Sequence, residues 1–105
     1  MAIYSVKARC IEGKMKEFYQ KLTDETIQNQ KPDGQEIINS MKRAKITKSN
    51  VIQWSEMCFC SPPLKHERET VYNQFFTDIK TKVIDEYVEY EGELFMDFLA
   101  KKNKE

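Results

Sequence analysis

The chain has 105 residues, and its 17 Lys and Arg balance 17 Asp and Glu. That length holds a single domain, 1–105, with no room for a second core. Zero net charge removes the basic excess of a nucleic-acid binder, and no apolar run approaches the roughly 20 residues of a membrane span, so neither nucleic acid nor membrane is an expected partner. Three cysteines and no Asn-x-Ser/Thr sequon fit a reducing, cytoplasmic setting.

Residues 2–10 alternate, with Tyr4, Val6, Ala8 and Cys10 on one side and Ser5, Lys7 and Arg9 on the other. A period of two predicts a half-buried strand. After a turn at Glu12-Gly13, the residues Met15, Phe18, Tyr19, Leu22 and Thr26 recur at spacings of three and four. That stripe predicts an amphipathic helix over about 14–30, ended by Lys31-Pro32 because proline disfavours helical geometry in the residue before it.

The next stretch admits two readings. Asp33 and Glu36 have the spacing of a capping box, and Ile37, Ile38, Met41 and Ala44 have helical spacing. Yet Lys42, Ala44 and Ile46 also alternate, and Val51 to Cys60 is rich in β-branched and aromatic residues. A strand of that length needs a partner of similar length, so a hairpin is expected, about 38–47 with 51–60, around Lys48-Ser49-Asn50. A helix over 34–41 is the competing reading. Ser61-Pro62-Pro63 opens a second helix whose inward stripe is Leu64, Arg68, Val71, Tyr72, Phe75, Phe76 and Ile79. Residues 83–91 read as a fourth strand. Leu94, Phe95, Phe98 and Leu99 then mark a short terminal helix over 93–101, with a frayed tail at 102–105.

Strand, helix, strand, strand, helix, strand is the split βαβ order. It predicts an α+β, ferredoxin-like βαββαβ antiparallel sheet in the order four-one-three-two, with two helices on one face plus the C-terminal helix. The residues Val6-Lys7-Ala8-Arg9, Glu12-Gly13-Lys14 and Glu17-Phe18 resemble the opening of the dimeric α/β-barrel superfamily, as found in antibiotic-biosynthesis-monooxygenase-like small proteins. The resemblance implies a homodimer whose two sheets face each other around a cavity. It carries no invariant catalytic set, and the helix from Glu93 onward departs from the usual size.

Charge order points to the same assembly. Lys42, Arg43, Lys45 and Lys48 form a stretch without acids, whereas Asp85, Glu86, Glu89, Glu91, Glu93 and Asp97 form one without bases. In the expected sheet these are opposite edges, and a two-fold axis would join each to its complement on the partner copy. The alternative is that edge strands carry charge only to prevent aggregation.

No GxGxxG, phosphate loop, HExxH, CxxC or GxSxG motif is present. Cys58 and Cys60 lie on one side of a strand, roughly 6–7 Å apart at their Cα atoms, a separation that strains a disulfide. With Cys10 at the far end of the sheet and only His66 nearby, the ligand count for a metal fails. Buried, unreactive thiols are expected, with no metal and no other cofactor. His66 is the sole histidine and falls in the first turn of the second helix. A helix N-terminus disfavours imidazolium, so a neutral His66 is a candidate base, and Cys60 a candidate nucleophile beside it. The alternative is a solvated surface residue.

A second constellation uses the sheet face away from the helices. Lys7 and Arg9 point there, and if Trp54 and Glu56 do too, the four line a cavity in which Trp54 stacks and the basic pair attracts an anion. The parity of 51–60 is open, because Ile52-Trp54 and Met57-Phe59 compete for the core. The alternative places Trp54 in the core. RNA-recognition modules share the element order, but the third strand here has no glycine or base and carries Glu56.

The expected function is therefore a small homodimeric domain binding a small apolar or aromatic ligand with an anionic group in a sheet-face cavity. The competing expectations are a cofactor-independent monooxygenase- or isomerase-type enzyme with His66 or Glu56 as base, and a ligand-free protein-interaction domain using the terminal helix.

Overall fold

The computed structural model describes residues 2–58 and 62–104. In chain order these form β1 (Ala2–Cys10), α1 (Met15–Thr23), α2 (Gly34–Arg43), β2 (Lys45–Ile46) and β3 (Val51–Cys58). A helical stretch follows, made of α3 (Lys65–Glu67), a π-helical turn over Arg68–Tyr72 and α4 (Asn73–Phe75), and then β4 (Phe76–Ile84), β5 (Glu93–Leu94) and α5 (Phe95–Asn103). The result is an α+β fold around one antiparallel sheet in the order β4-β1-β3-β2-β5. No helix among the described residues is long and apolar enough to cross a membrane.

The alternation of β1 sets the two faces. Val6 and Ala8 are buried, whereas Lys7 and Arg9 are exposed. Val6 stands opposite Trp54, Ala8 opposite Ile52 and Tyr4 opposite Glu56. Residues directly opposed across a ladder share a face, so Trp54 and Glu56 lie inward with Val6, and both are fully buried. Aromatic rings fill the space beneath. Phe18 stacks on Phe75 at 4.4 Å between ring centroids, and Trp54 packs against Tyr72 at 5.2 Å and Phe76 at 5.5 Å. α5 packs on α1 and α2, and its Phe95 and Leu99 belong to this core. The terminal helix thus commits Phe95 and Leu99 of its apolar residues to the core while Phe98 is only partly buried, and it continues through Asn103, beyond the expected end at 101.

Between 34 and 44 the helical reading prevails over the hairpin. A helix buries Ile37, Ile38, Met41 and Ala44 together, whereas an extended chain would send Ile37 and Ile38 to opposite faces. The hairpin survives only as Lys45 opposite Gln53 and Ile46 opposite Ile52. The rest of β3 lacks a strand on that side, and α2 supplies the missing partners from its side chains. Arg43 Nη2 donates to the Ser55 carbonyl at 2.8 Å, Glu36 Oε2 accepts from the Met57 amide at 3.0 Å, and the two side chains pair at 3.2 Å.

Other boundaries move for local reasons. α1 stops at Thr23, well short of Pro32, where the Thr26 amide donates to Asp24 Oδ1 at 3.0 Å. Such side-chain bonds offer the backbone an alternative to the helix. The second helix ends at Phe75 and not at Ile79, because Thr77, Ile79, Thr81 and Val83 alternate along a strand that completes the second ladder of β1.

The fourth strand expected at 83–91 is therefore displaced, and 85–92 becomes a strap across the face that carries Lys7 and Arg9. Tyr90 OH donates to Ser5 Oγ at 2.6 Å, and Ser55 Oγ donates to the Val88 carbonyl at 3.2 Å. The face expected to stay open to a partner is thus partly covered by the chain itself. Gly92, at φ +131, lets the strap reach β5, and a Cβ there would meet the Ile46 carbonyl at 2.7 Å. β5 then pairs with β2, so the basic and acidic stretches join inside one chain. The edge-to-edge meeting across a two-fold axis loses its premise, because β2 is not an edge.

Replacing Arg43 with Met should destabilise the protein by about 1–3 kcal/mol, the cost of leaving buried polar groups unpaired. Urea unfolding measures the loss, and hydrogen exchange should show faster exchange at the Met57 amide than at amides of the β1–β4 ladder.

Candidate functional site

Three segments meet at the Cys58 end of the sheet. The turn before α2 brings Pro32 and Asp33, α2 brings Glu36, β3 ends at Met57 and Cys58, and α3 brings His66 and Glu67. Together they line a pocket of about 330 Å³, with Pro32, Met57 and Cys58 forming its apolar wall. The turn is held close to the preceding chain at Gly34, where a Cβ would lie 2.2 Å from the Ile27 carbonyl oxygen. Only glycine permits that approach.

Asp33 and Glu36 have capping-box spacing, but neither carboxylate caps α2 through a side-chain bond at Asp33. Both are used over long range. Asp33 Oδ1 accepts from Gln30 Nε2 at 2.8 Å, and Asp33 Oδ2 bonds directly to His66 Nδ1. Gln30 Nε2 also donates to Thr70 Oγ1 at 2.9 Å, and the Thr70 hydroxyl donates to the His66 carbonyl at 2.7 Å. The imidazole is therefore oriented through Asp33 and its backbone through Thr70. Among the described residues His66 Nε2 has no hydrogen-bond partner. Glu36 Oε2 accepts from Arg43, the Met57 amide and Tyr87 OH, so it serves mainly to hold three elements together.

The Asp33 bond raises the His66 pKa above its usual value. This reverses the expectation of a neutral imidazole, because a carboxylate in direct contact outweighs the weak field of a three-residue helix. Immediately after His66 and Glu67 the chain widens into the π-helical turn, a feature that recurs at functional sites.

A fourth acid, Glu56, is fully buried in the core. Glu56 Oε1 accepts from Tyr72 OH at 2.5 Å and Trp54 Nε1 at 2.8 Å, while Oε2 has no partner among the described residues. Burial pushes the Glu56 carboxyl up to about 8; the two hydrogen bonds oppose that shift, and Glu67 and Glu36 reinforce it. Burial, followed by the charge of Glu56, raises Tyr72 as well.

The structure does not assemble Lys7, Arg9, Trp54 and Glu56 into one site. Trp54 and Glu56 are core, while Lys7 faces Lys80 on the other side of the sheet and Arg9 lies 3.5 Å from Asp78. Cys60, the expected neighbour of His66, lies with Phe59 and Ser61 outside the described residues. Cys58 is buried in the pocket wall, and Cys10, at the opposite end of β1, has its thiol pushed up to about 12 by burial. Around His66 stand two acids that sequence reasoning did not assign to it. Asp33, His66 and Glu67 each offer a donor atom, and the three donors lie within 4.8 Å of one another. Glu67 had a local signal, as the acid following the histidine. Asp33, 33 positions away, had none beyond its apparent role as a cap.

No protein-family model, curated protein or solved structure matches this chain. These comparisons give no support to the resemblance to the dimeric α/β-barrel superfamily.

Glu56 makes stability depend on pH with a definite sign. Its folded-state pKa is raised, so the stability of the protonated form is complete below the ordinary carboxylate range and is lost as pH rises through about 8. Thermal melts from about pH 5 to about pH 9 should show the wild type weakening across that window. Glu56→Gln, which mimics the neutral acid, should flatten the profile and exceed the wild type at its alkaline end.

Proposed function

We propose that this protein is a small-ligand-binding domain whose site is the pocket between Asp33, Glu36, His66 and Glu67, and that its ligand presents positive charge to these acids and an apolar body to Pro32, Met57 and Cys58. The observation that carries this reading is the convergence of carboxylates and one oriented imidazole on an apolar-walled pocket of about 330 Å³, the combination of apolar lining and few polar groups typical of ligand sites. The anionic ligand expected from Lys7 and Arg9 gives way to a cationic one, since that basic pair stands on the other face. We read the β4-β1-β3-β2 part of the sheet as a ferredoxin-like arrangement to which α2 and β5 have been added. That arrangement hosts many activities and selects none.

An enzyme using His66 as proton carrier draws support from the Gln30–Asp33–His66 chain. Its weakness is electrostatic. An enolate or carbanion formed beside His66 would face carboxylates, with no positioned donor among the described pocket residues to stabilise it.

Thermal shift with benzylamine, an aromatic cation, and benzoate, its anionic counterpart, tests the ligand reading. Benzylamine at about ten times its Kd should raise Tm by about 5–10 °C. Benzoate should have no effect, and Asp33→Asn should abolish the response to benzylamine. Equal responses to the two probes, or none to benzylamine, would overturn the proposal.

A further inference from the structure

We propose that Asp33, His66 and Glu67 form a site for a divalent transition-metal ion of the zinc class, bound by one imidazole and two carboxylates, with one coordination position left open to the pocket. The inference rests on the reading that the pocket takes positive charge, and it names that charge.

The geometry is close to what such an ion needs. The three donors already lie within 4.8 Å of one another; bonds of about 2.0–2.2 Å to one tetrahedral ion set donors roughly 3.4 Å apart, so the widest pair would close by about an ångström while Asp33 Oδ2 and His66 Nδ1 would part to admit the ion. The ligands come from two segments held independently of any ion. Asp33 is held by Gln30 and by the Gly34 approach to Ile27, and the His66 backbone by Thr70. An outer group that orients a ligand, as the Gln30 amide does Asp33, is a regular part of metal sites, since it lowers the cost of gathering the donors. Glu67 is only 2 % exposed, so its carboxylate sits at the inner side of the site, and His66, whose side chain is 39 % exposed, sits at the mouth.

The donor set selects the class of ion. Calcium takes six to eight oxygen ligands, and magnesium keeps several waters in octahedral geometry. An imidazole with two carboxylates suits Zn²⁺, Co²⁺ or Ni²⁺ better. Three protein ligands are the number that leaves zinc a position for water or substrate. Here that position would face the Pro32, Met57 and Cys58 wall, where a small organic group has room. Glu36 stays outside the set because its Oε2 already accepts from Arg43, Met57 and Tyr87. Binding displaces the hydrogen bond between Asp33 and His66, and its proton leaves to solvent.

Isothermal titration with Zn²⁺, and visible spectroscopy with Co²⁺, test the site on the full chain. The wild type should bind one Zn²⁺ per chain. His66→Ala and Glu67→Gln should each weaken binding by at least about 10-fold, while Lys7→Ala on the opposite sheet face should bind as the wild type does. The Co²⁺ form should show d–d bands without a thiolate charge-transfer band. Because His66 lies at the surface, His66→Ala should keep the far-ultraviolet dichroism of the wild type, which separates lost ligation from lost folding. Absence of binding to the wild type, undiminished binding to the His66 variant, or a thiolate band that disappears in Cys58→Ala would each overturn the assignment. Stabilisation by benzylamine without Zn²⁺ binding removes the metal site and leaves the ligand pocket standing. Failure of both probes removes both.

Discussion

Val6 opposite Trp54 is the pairing from which the rest of the molecule follows. Side chains alternate along a strand, so this one register decides that Trp54 and Glu56 go inward and that Ser5 and Ser55 face the strap. A slip of one residue would bury Gln53 and expose the indole. Burying Trp54 draws Tyr72 and Phe76 against it and so fixes where the helical stretch can pack. Burying Glu56 leaves a carboxyl in the core whose low-dielectric surroundings favour the proton over the charge.

The short β2 creates a second constraint. A strand needs partners for its amides and carbonyls on both sides, and β3 runs past the end of its neighbour at Ser55 and Met57. Glu36 and Arg43 fill that gap, one accepting and one donating, so that a charged pair on a helix replaces a stretch of ladder. Tyr87 OH also donates to Glu36, and the Arg43 guanidinium lies 4.3 Å from the Tyr87 ring centroid. The wall of the pocket, the exposed edge of β3 and the strap are thus tied at one point. Charge-assisted bonds of this kind are worth about 1.5–3 kcal/mol each, which makes the point costly to disturb.

Acids gathered from separate segments repel one another, and here each is offset by a different device. Asp33 is held against His66, Glu36 against Arg43, and Glu56 by a proton. Glu67 completes the set at the inner side of the pocket. A fold without a use for these groups has a cheaper solution in apolar residues of similar volume. Their presence around an apolar-walled pocket is the physical reason to look there for function, and among the described residues His66 Nε2 is a ring nitrogen without a hydrogen-bond partner.

What could be read from residue order was the behaviour of single elements. The alternation in β1 identified its buried side, the stripe from Met15 identified the start and inner face of α1, and Phe95 with Leu99 identified the terminal helix. The helical spacing of Ile37, Ile38 and Met41 is visible too, but a strand as long as β3 argues for a strand beside it, and side chains of α2 take that place. The parity of β3 was not legible, since apolar residues occur on both of its sides and only pairing with β1 separates them. Nor were the partners of Asp33 and Glu36. The spacing of those two residues belongs to a local cap, yet their carboxylates serve His66 at a distance of 33 positions and Met57 at 21. Periodicity reports which side of an element avoids water, a property of neighbouring residues. The partner of a polar group is chosen by which segments packing brings within 3 Å or so, and that depends on every element at once.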